Sequence, residues 1–136
     1  PILSNMRLCS NVLSQHVVQT SLGGYQSVDE LLLPGGRIYE QRNFIYKAIN
    51  EIPGLSATKP KAGLYIFPKI DREMYQVDDD EQFVLDFLKQ EKILLVHGRG
   101  FNWKDPDHFR IVYLPRVDEL AQIQEKMTRF LRQYRR

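Results

Sequence analysis

One side chain in this sequence combines a chemically capable type with an unusual place, and it is Arg110. It interrupts Phe109-Arg110-Ile111-Val112-Tyr113-Leu114, an otherwise apolar run of strand character. Burying a guanidinium without a partner is costly, so a strand arginine faces solvent, pairs with a carboxylate of the protein, or meets an anionic ligand. Its planar fork fits a carboxylate through two parallel hydrogen bonds. The residue pattern alone leaves the structural and the ligand-binding readings both open.

Other candidates reduce to ordinary structure. The stretch Val96-His97-Gly98-Arg99-Gly100-Phe101-Asn102-Trp103 is a glycine-bearing loop after an apolar strand. It lacks the full dinucleotide fingerprint and the Gly-Lys-Ser/Thr of a P-loop, and no helix follows to present its amino end to a phosphate. His16, His97 and His108 are not at metal-ligand spacing on one element, so no metal site is expected. Asp78-Asp79-Asp80 lacks the alternating ligands and closing glutamate of an EF-hand and reads as a helix cap. No nucleophile elbow, acid-base pair or cysteine-histidine context around Cys9 assembles, so no catalytic residue is assigned. Arg129, Arg132, Arg135 and Arg136 suit the carboxyl end of a helix. With a net charge of +2 the chain shows no nucleic-acid footprint.

The elements that would position Arg110 follow from periodicity. Leu13, Val17, Val18 and Leu22 mark a short helix over 11–22, stopped by Gly23-Gly24. Ile38, Ile45, Ile49 and Ile52 share one face of a helix over 37–52, ended by Pro53-Gly54. The runs 55–59 and 63–67 read as two strands joined by a turn. A helix with Phe83, Val84, Phe87 and Leu88 inward follows the aspartates, then a strand over 93–96, the glycine loop and a strand over 109–114. A last helix carries Leu120, Ile123, Met127, Phe130, Leu131 and Tyr134. This order predicts an α+β fold, a small and mainly antiparallel sheet covered by helices on one face.

The bulk numbers agree with an ordinary globular chain. Of the 136 residues 43% are hydrophobic and 26% charged, enough for a real core and unlike a disordered segment. The single cysteine excludes an internal disulfide, and with no apolar stretch long enough to span a bilayer the expected compartment is the cytoplasm. A chain opening on Pro1 instead of methionine is read as a piece of a longer one.

Three segments, Lys59-Pro60-Lys61-Ala62-Gly63-Leu64-Tyr65-Ile66-Phe67-Pro68-Lys69, Leu94 to Phe101 and Phe109 to Pro115, together resemble the carboxy-terminal domain of class I/II aminotransferases. Met6 to Val12, Gly23 to Gln26 and Pro34-Gly35-Gly36-Arg37-Ile38-Tyr39-Glu40-Gln41-Arg42-Asn43 look more narrowly like the bacterial alanine (glutamate-pyruvate) aminotransferases. The resemblance implies the fold type I architecture, with residues 1–30 a helical remnant of the large, cofactor-holding domain and 31–136 the small domain that closes over substrate. It implies that Arg110 binds the substrate α-carboxylate and that Gly98 and Phe101 shape the adjoining loop. The family's substrates are amino acids and 2-oxo acids, its cofactor is pyridoxal phosphate and its members are dimers. The chain departs from the family pattern by absence: none of its lysines has the Schiff-base context, so no cofactor is expected on this piece and it is expected to be inactive alone. Left without the large domain, residues 1–30 are expected to self-associate. His97 stands where relatives have proline, and Asn102 where many have glycine. The rival reading is a free-standing, non-catalytic α+β ligand-binding or interaction module.

Overall fold

A computed structural model describes residues 11–135. Cys9, and with it the amino-terminal part of the resemblance, lies outside the described residues, as does Arg136.

Three long helices supply the packing. Helix α1 (Val12–Gly23) begins where Asn11 accepts a hydrogen bond from the Ser14 amide at 3.2 Å, and it buries none of its residues. A single turn, α2 (Asp29–Leu32), precedes α3 (Arg37–Glu51), whose inward face is Ile38, Gln41, Ile45, Ala48 and Ile49. That spacing of three and four is the helical stripe seen in the pattern of isoleucines. Helix α4 (Asp80–Glu91) is capped by Asp79, whose carboxylate accepts from the Glu81 and Gln82 amides, and it closes on Lys92 in the left-handed conformation at φ 59°. Helix α5 (Val117–Leu131) starts where the Glu119 carboxylate accepts from the Arg116 amide at 2.8 Å. It buries Leu120, Met127, Phe130 and Leu131.

The strands are short: β1 (Leu55–Ser56), β2 (Tyr65–Ile66), β3 (Lys69–Ile70), β4 (Val96–His97) and β5 (Phe109–Val112). They form two antiparallel sheets, β1-β3 and β2-β5-β4, with β5 in the centre of the second. The fold class is therefore the expected α+β, with one correction to the pairing. The runs 55–59 and 63–67 do not form a hairpin with each other: β1 pairs with β3, and β2 pairs with β5. The chain between them passes through Gly63 at φ 76°, and the buried Tyr113 donates its hydroxyl to the Gly63 carbonyl at 2.7 Å, fastening this turn to β5.

Alternation along β5 decides which residues reach the core. Phe109, Ile111 and Tyr113 point inward and are fully buried or nearly so, while Arg110 and Val112 lie on the other face. Helices cover the inner face: Phe83 of α4 packs on Phe109 at 5.8 Å and on Phe130 of α5 at 5.4 Å, and Phe87 on Phe130 at 5.0 Å. Each such ring taken out of water contributes about 2–3 kcal/mol, so this aromatic cluster is a main support of the sheet. The outer face carries Tyr65, Arg110 and Val112, with Tyr65 directly opposite Val112 in the register.

Candidate functional site

Arg110 occupies the middle of the central strand on the open face, opposite Val96 of β4. Its guanidinium carbon lies 4.4 Å from the centre of the Tyr65 ring and 4.5 Å from the centre of the Phe101 ring. Tyr65 comes from β2 and Phe101 from the loop after β4, so the two rings approach from opposite flanks of β5. No acidic side chain pairs with Arg110 among the described residues, and its Nε is buried without a hydrogen-bond partner. A cation held by aromatic faces keeps its charge and its outward N–H groups available to an anion.

The loop that carries Phe101 is tied at three places. Gly98–Phe101 forms a single 3₁₀ turn, in which His97 Nδ1 accepts from the Gly100 amide at 3.1 Å. Asn102 follows at φ 59°, in the left-handed region that asparagine tolerates better than most residues. His97 and Asn102, the two departures from the family pattern, thus each satisfy a local need of the turn. At its start, Gly98 donates to the His108 carbonyl at 2.8 Å, and a Cβ on Gly98 would meet that same oxygen at 2.8 Å.

The second tie is electrostatic. Asp80, at the first turn of α4 and 1% exposed, accepts from the Arg99 amide at 2.9 Å and from the Arg99 guanidinium, which also reaches Asp79. Burial by itself pushes the Asp80 carboxyl up, but the two hydrogen bonds from Arg99 and the positive charge of its guanidinium together hold it below its ordinary value.

The third tie is aromatic. Phe67 stacks on His108 at 4.9 Å and meets Phe101 edge-on at 6.2 Å and Trp103 at 5.7 Å. Asp107 accepts from Trp103 Nε1 at 2.9 Å and contacts His108 Nδ1 at 2.6 Å, with Lys69 at 3.8 Å. Burial raises the Asp107 carboxyl, but the His108 and Trp103 hydrogen bonds, aided by Lys69, leave it below its ordinary value. Phe101 is thereby backed by a packed wall while remaining 45% exposed.

The three residues expected at the site fall into two roles. Arg110 and Phe101 are brought into contact, whereas Gly98 stands behind them as the close approach between the loop and β5. Tyr65, Asp80 and Asp107 were not anticipated. Tyr65 had a visible signal, since it lies in the same alternating run as Leu64 and Ile66, but its partner strand was misassigned. The aspartate cluster is indeed a cap through Asp79, yet Asp80 also anchors the loop. No cluster of histidine, cysteine or carboxylate side chains suited to a metal ion occurs among the described residues, and no described helix is long and apolar enough to cross a membrane.

Similarity to known proteins runs through the whole chain. It is 56% identical over 134 residues to a glutamate-pyruvate aminotransferase of Haemophilus influenzae, covering 98% of this chain and 33% of that protein. An alanine aminotransferase of Mycobacterium tuberculosis is 54% identical over 134 residues, with 98% of this chain and 31% of that protein covered. The solved structure of an aminotransferase from Escherichia coli superposes with a TM-score of 0.85 at 56% identity, over 99% of this chain and 33% of that one. The chain is homologous to aminotransferases. An alanine aminotransferase structure from Pyrococcus furiosus, with a TM-score of 0.74 at 38% identity, covers 96% of this chain and 32% of its own. No protein-family model matches. The chain has the fold of part of these aminotransferase chains and spans about a third of the length of the curated relatives it matches.

No described lysine of the segment is placed as a Schiff-base lysine for pyridoxal phosphate would be. Lys92 donates to the Lys89 carbonyl at 2.7 Å and Lys126 to the Glu91 carbonyl at 3.0 Å, and the other six lysines are exposed. None is buried in the way a Schiff-base lysine needs to be to lose its proton near neutral pH.

Proposed function

We propose that this chain is the carboxy-terminal, substrate-clamping part of a pyridoxal-phosphate-dependent aminotransferase that exchanges an amino group between alanine or glutamate and a 2-oxo acid. In this reading residues 1–30 belong to the large cofactor domain and 31–136 form the small domain. The parent is a cytoplasmic homodimer, and the piece alone binds no cofactor and is inactive. The observation that carries the reading is the Arg110 guanidinium, flanked by two rings and free of any acidic partner among the described residues.

Both partners of a transamination carry an α-carboxylate, so one arginine serves each half of a ping-pong exchange. A two-point grip on the carboxylate fixes the orientation of the Cα–H bond, and that positioning is this chain's share of catalysis. Pyridoxal phosphate, held elsewhere in the parent, supplies the electron sink. Gly98 and Phe101 act by holding the loop against the arginine.

Arg110→Lys in the full-length protein tests this, because it keeps the charge and removes the fork. KM for both the amino acid and the 2-oxo acid should rise about tenfold or more, since losing one charged hydrogen bond costs about 1.5–3 kcal/mol. Steady-state kinetics showing unchanged KM for both substrates would sink the assignment.

A further inference from the structure

Tyr65 has no place in the function so far, yet it makes the closer of the two ring contacts to Arg110, 4.4 Å from the ring centre. It is 48% exposed, on the face of the sheet that the helices leave uncovered, and beyond its backbone pairing with β5 its hydroxyl makes no hydrogen bond among the described residues. A tyrosine in that setting is held in place by neither core packing nor its hydroxyl. What its ring does is stabilise the cation from one flank, while Phe101 does so from the other.

We infer that Tyr65 is a positioning residue for carboxylate recognition: its ring face holds the Arg110 guanidinium in the orientation that presents its fork outward. The inference rests on the reading of Arg110 as the carboxylate ligand. Two observations and one chemical argument support it. The guanidinium has no acidic partner to orient it among the described residues, and its Nε is buried and unbonded, so neither an ion pair nor a hydrogen bond fixes the head. The register sets Tyr65 opposite Val112, two residues along β5 from Arg110, and such diagonal neighbours lie within reach of aromatic and long side chains. Finally, an aromatic partner orients the cation without neutralising it. An aspartate in this place would have formed an ion pair and competed with the substrate anion.

The ring, not the hydroxyl, is therefore the working part of Tyr65. In the full-length protein Tyr65→Phe should leave KM within about twofold of the parent value. Tyr65→Leu, which keeps bulk and removes the π face, should raise KM for amino acid and 2-oxo acid alike, and the inhibition constant of propionate, a bare carboxylate probe. The expected rise is roughly 3- to 30-fold, the range that a cation–π contact supports, with kcat changing less. A merely structural role would lower kcat and stability without a parallel shift in the propionate constant. Should the leucine variant fail to fold, Tyr65→Thr, a good strand former without a ring, carries the same expectation.

Arg110→Lys, measured alongside, separates the two levels of failure. If it raises KM while the ring-less variants match the parent protein, Arg110 binds carboxylate without help from Tyr65 and the inference is overturned. Should Arg110→Lys itself leave KM and the propionate constant unchanged, the carboxylate reading falls and takes Tyr65 with it. A Tyr65→Phe variant as impaired as Tyr65→Leu would assign the role to the hydroxyl, which also overturns the inference.

Discussion

Asp80 shows how much of this site depends on one buried charge. Its carboxylate is acceptor to the Arg99 amide and guanidinium, and its pKa lies below the ordinary 3.8. A carboxyl whose folded pKa is depressed adds stability in full above its unfolded pKa and loses it as pH falls through the folded one. The contribution of Asp80 is thus complete at neutral pH and fades below about pH 4, and Asp107, shifted the same way, adds to the acid sensitivity. Asp80→Asn should cost about 1–2 kcal/mol at pH 7, because Arg99 is partly exposed and recovers some hydration. Thermal melts from pH 7 down to 3 should show the gap between parent and variant closing as acid is added; a gap independent of pH would remove Asp80 from this role. Of these residues only Arg110 announced itself in the sequence, because a charge within an apolar strand is an anomaly at short range. Tyr65 and Asp80 act through partners 45 and 19 positions away in the chain, Arg110 and Arg99, and a local pattern does not reveal such pairs.

The loop and its strand form one unit, and Gly98 is the point where they touch. A methyl group there would press on the His108 carbonyl at 2.8 Å and the His108 Cβ at 3.1 Å, and backbone on both sides has little room to yield. Gly98→Ala should therefore cost about 1–3 kcal/mol, the usual penalty for overpacking, and lift Phe101 away from Arg110. Gly100→Ala is the matched control, since its methyl meets only the His97 ring at 3.4 Å. Denaturant unfolding of the two variants should separate them clearly, and equal stability would show that the close approach is not real. The same coupling explains what periodicity could and could not reveal. Helices α1 and α3 were legible to within about a residue at each end, and α4 and α5 by their inward residues, because apolar stripes recur every three or four residues, as in Ile38, Ile45 and Ile49, whereas the single turn α2 carries too short a pattern to read. The strands were located only coarsely, and β3 was missed, because two-residue strands carry too little alternation to read. Their pairing was beyond reach for a different reason: β1 pairs with β3 across the passage of 57–68, and a partner that far along the chain leaves no local signal in β1.

At the scale of the whole molecule the chain is unevenly satisfied. Its core gathers residues from α3, α4, α5 and both sheets, from Ile38 to Leu131, whereas α1 contributes nothing. Leu13 and Leu22 are each 76% exposed, and Val17, Val18, Tyr25 and Leu33 are also turned to water. Hydrophobic residues at helical spacing without a core to cover make a helix of marginal stability in isolation, because most helical stability in proteins comes from packing of such a face. The apolar side chains of α1 are spread around the helix, so a second copy packed against it would cover only some of them, each worth about 1.5–3 kcal/mol if covered completely. The purified 136-residue chain should therefore self-associate in a concentration-dependent way. Leu13→Glu together with Leu22→Glu should return it to a monomer without lowering the melting temperature of the 37–131 core, to which α1 adds no buried residue. Sedimentation velocity across a hundredfold range of concentration decides the matter: a monomer throughout, for the parent chain, would mean that the α1 face is tolerated in water and has no bearing on assembly.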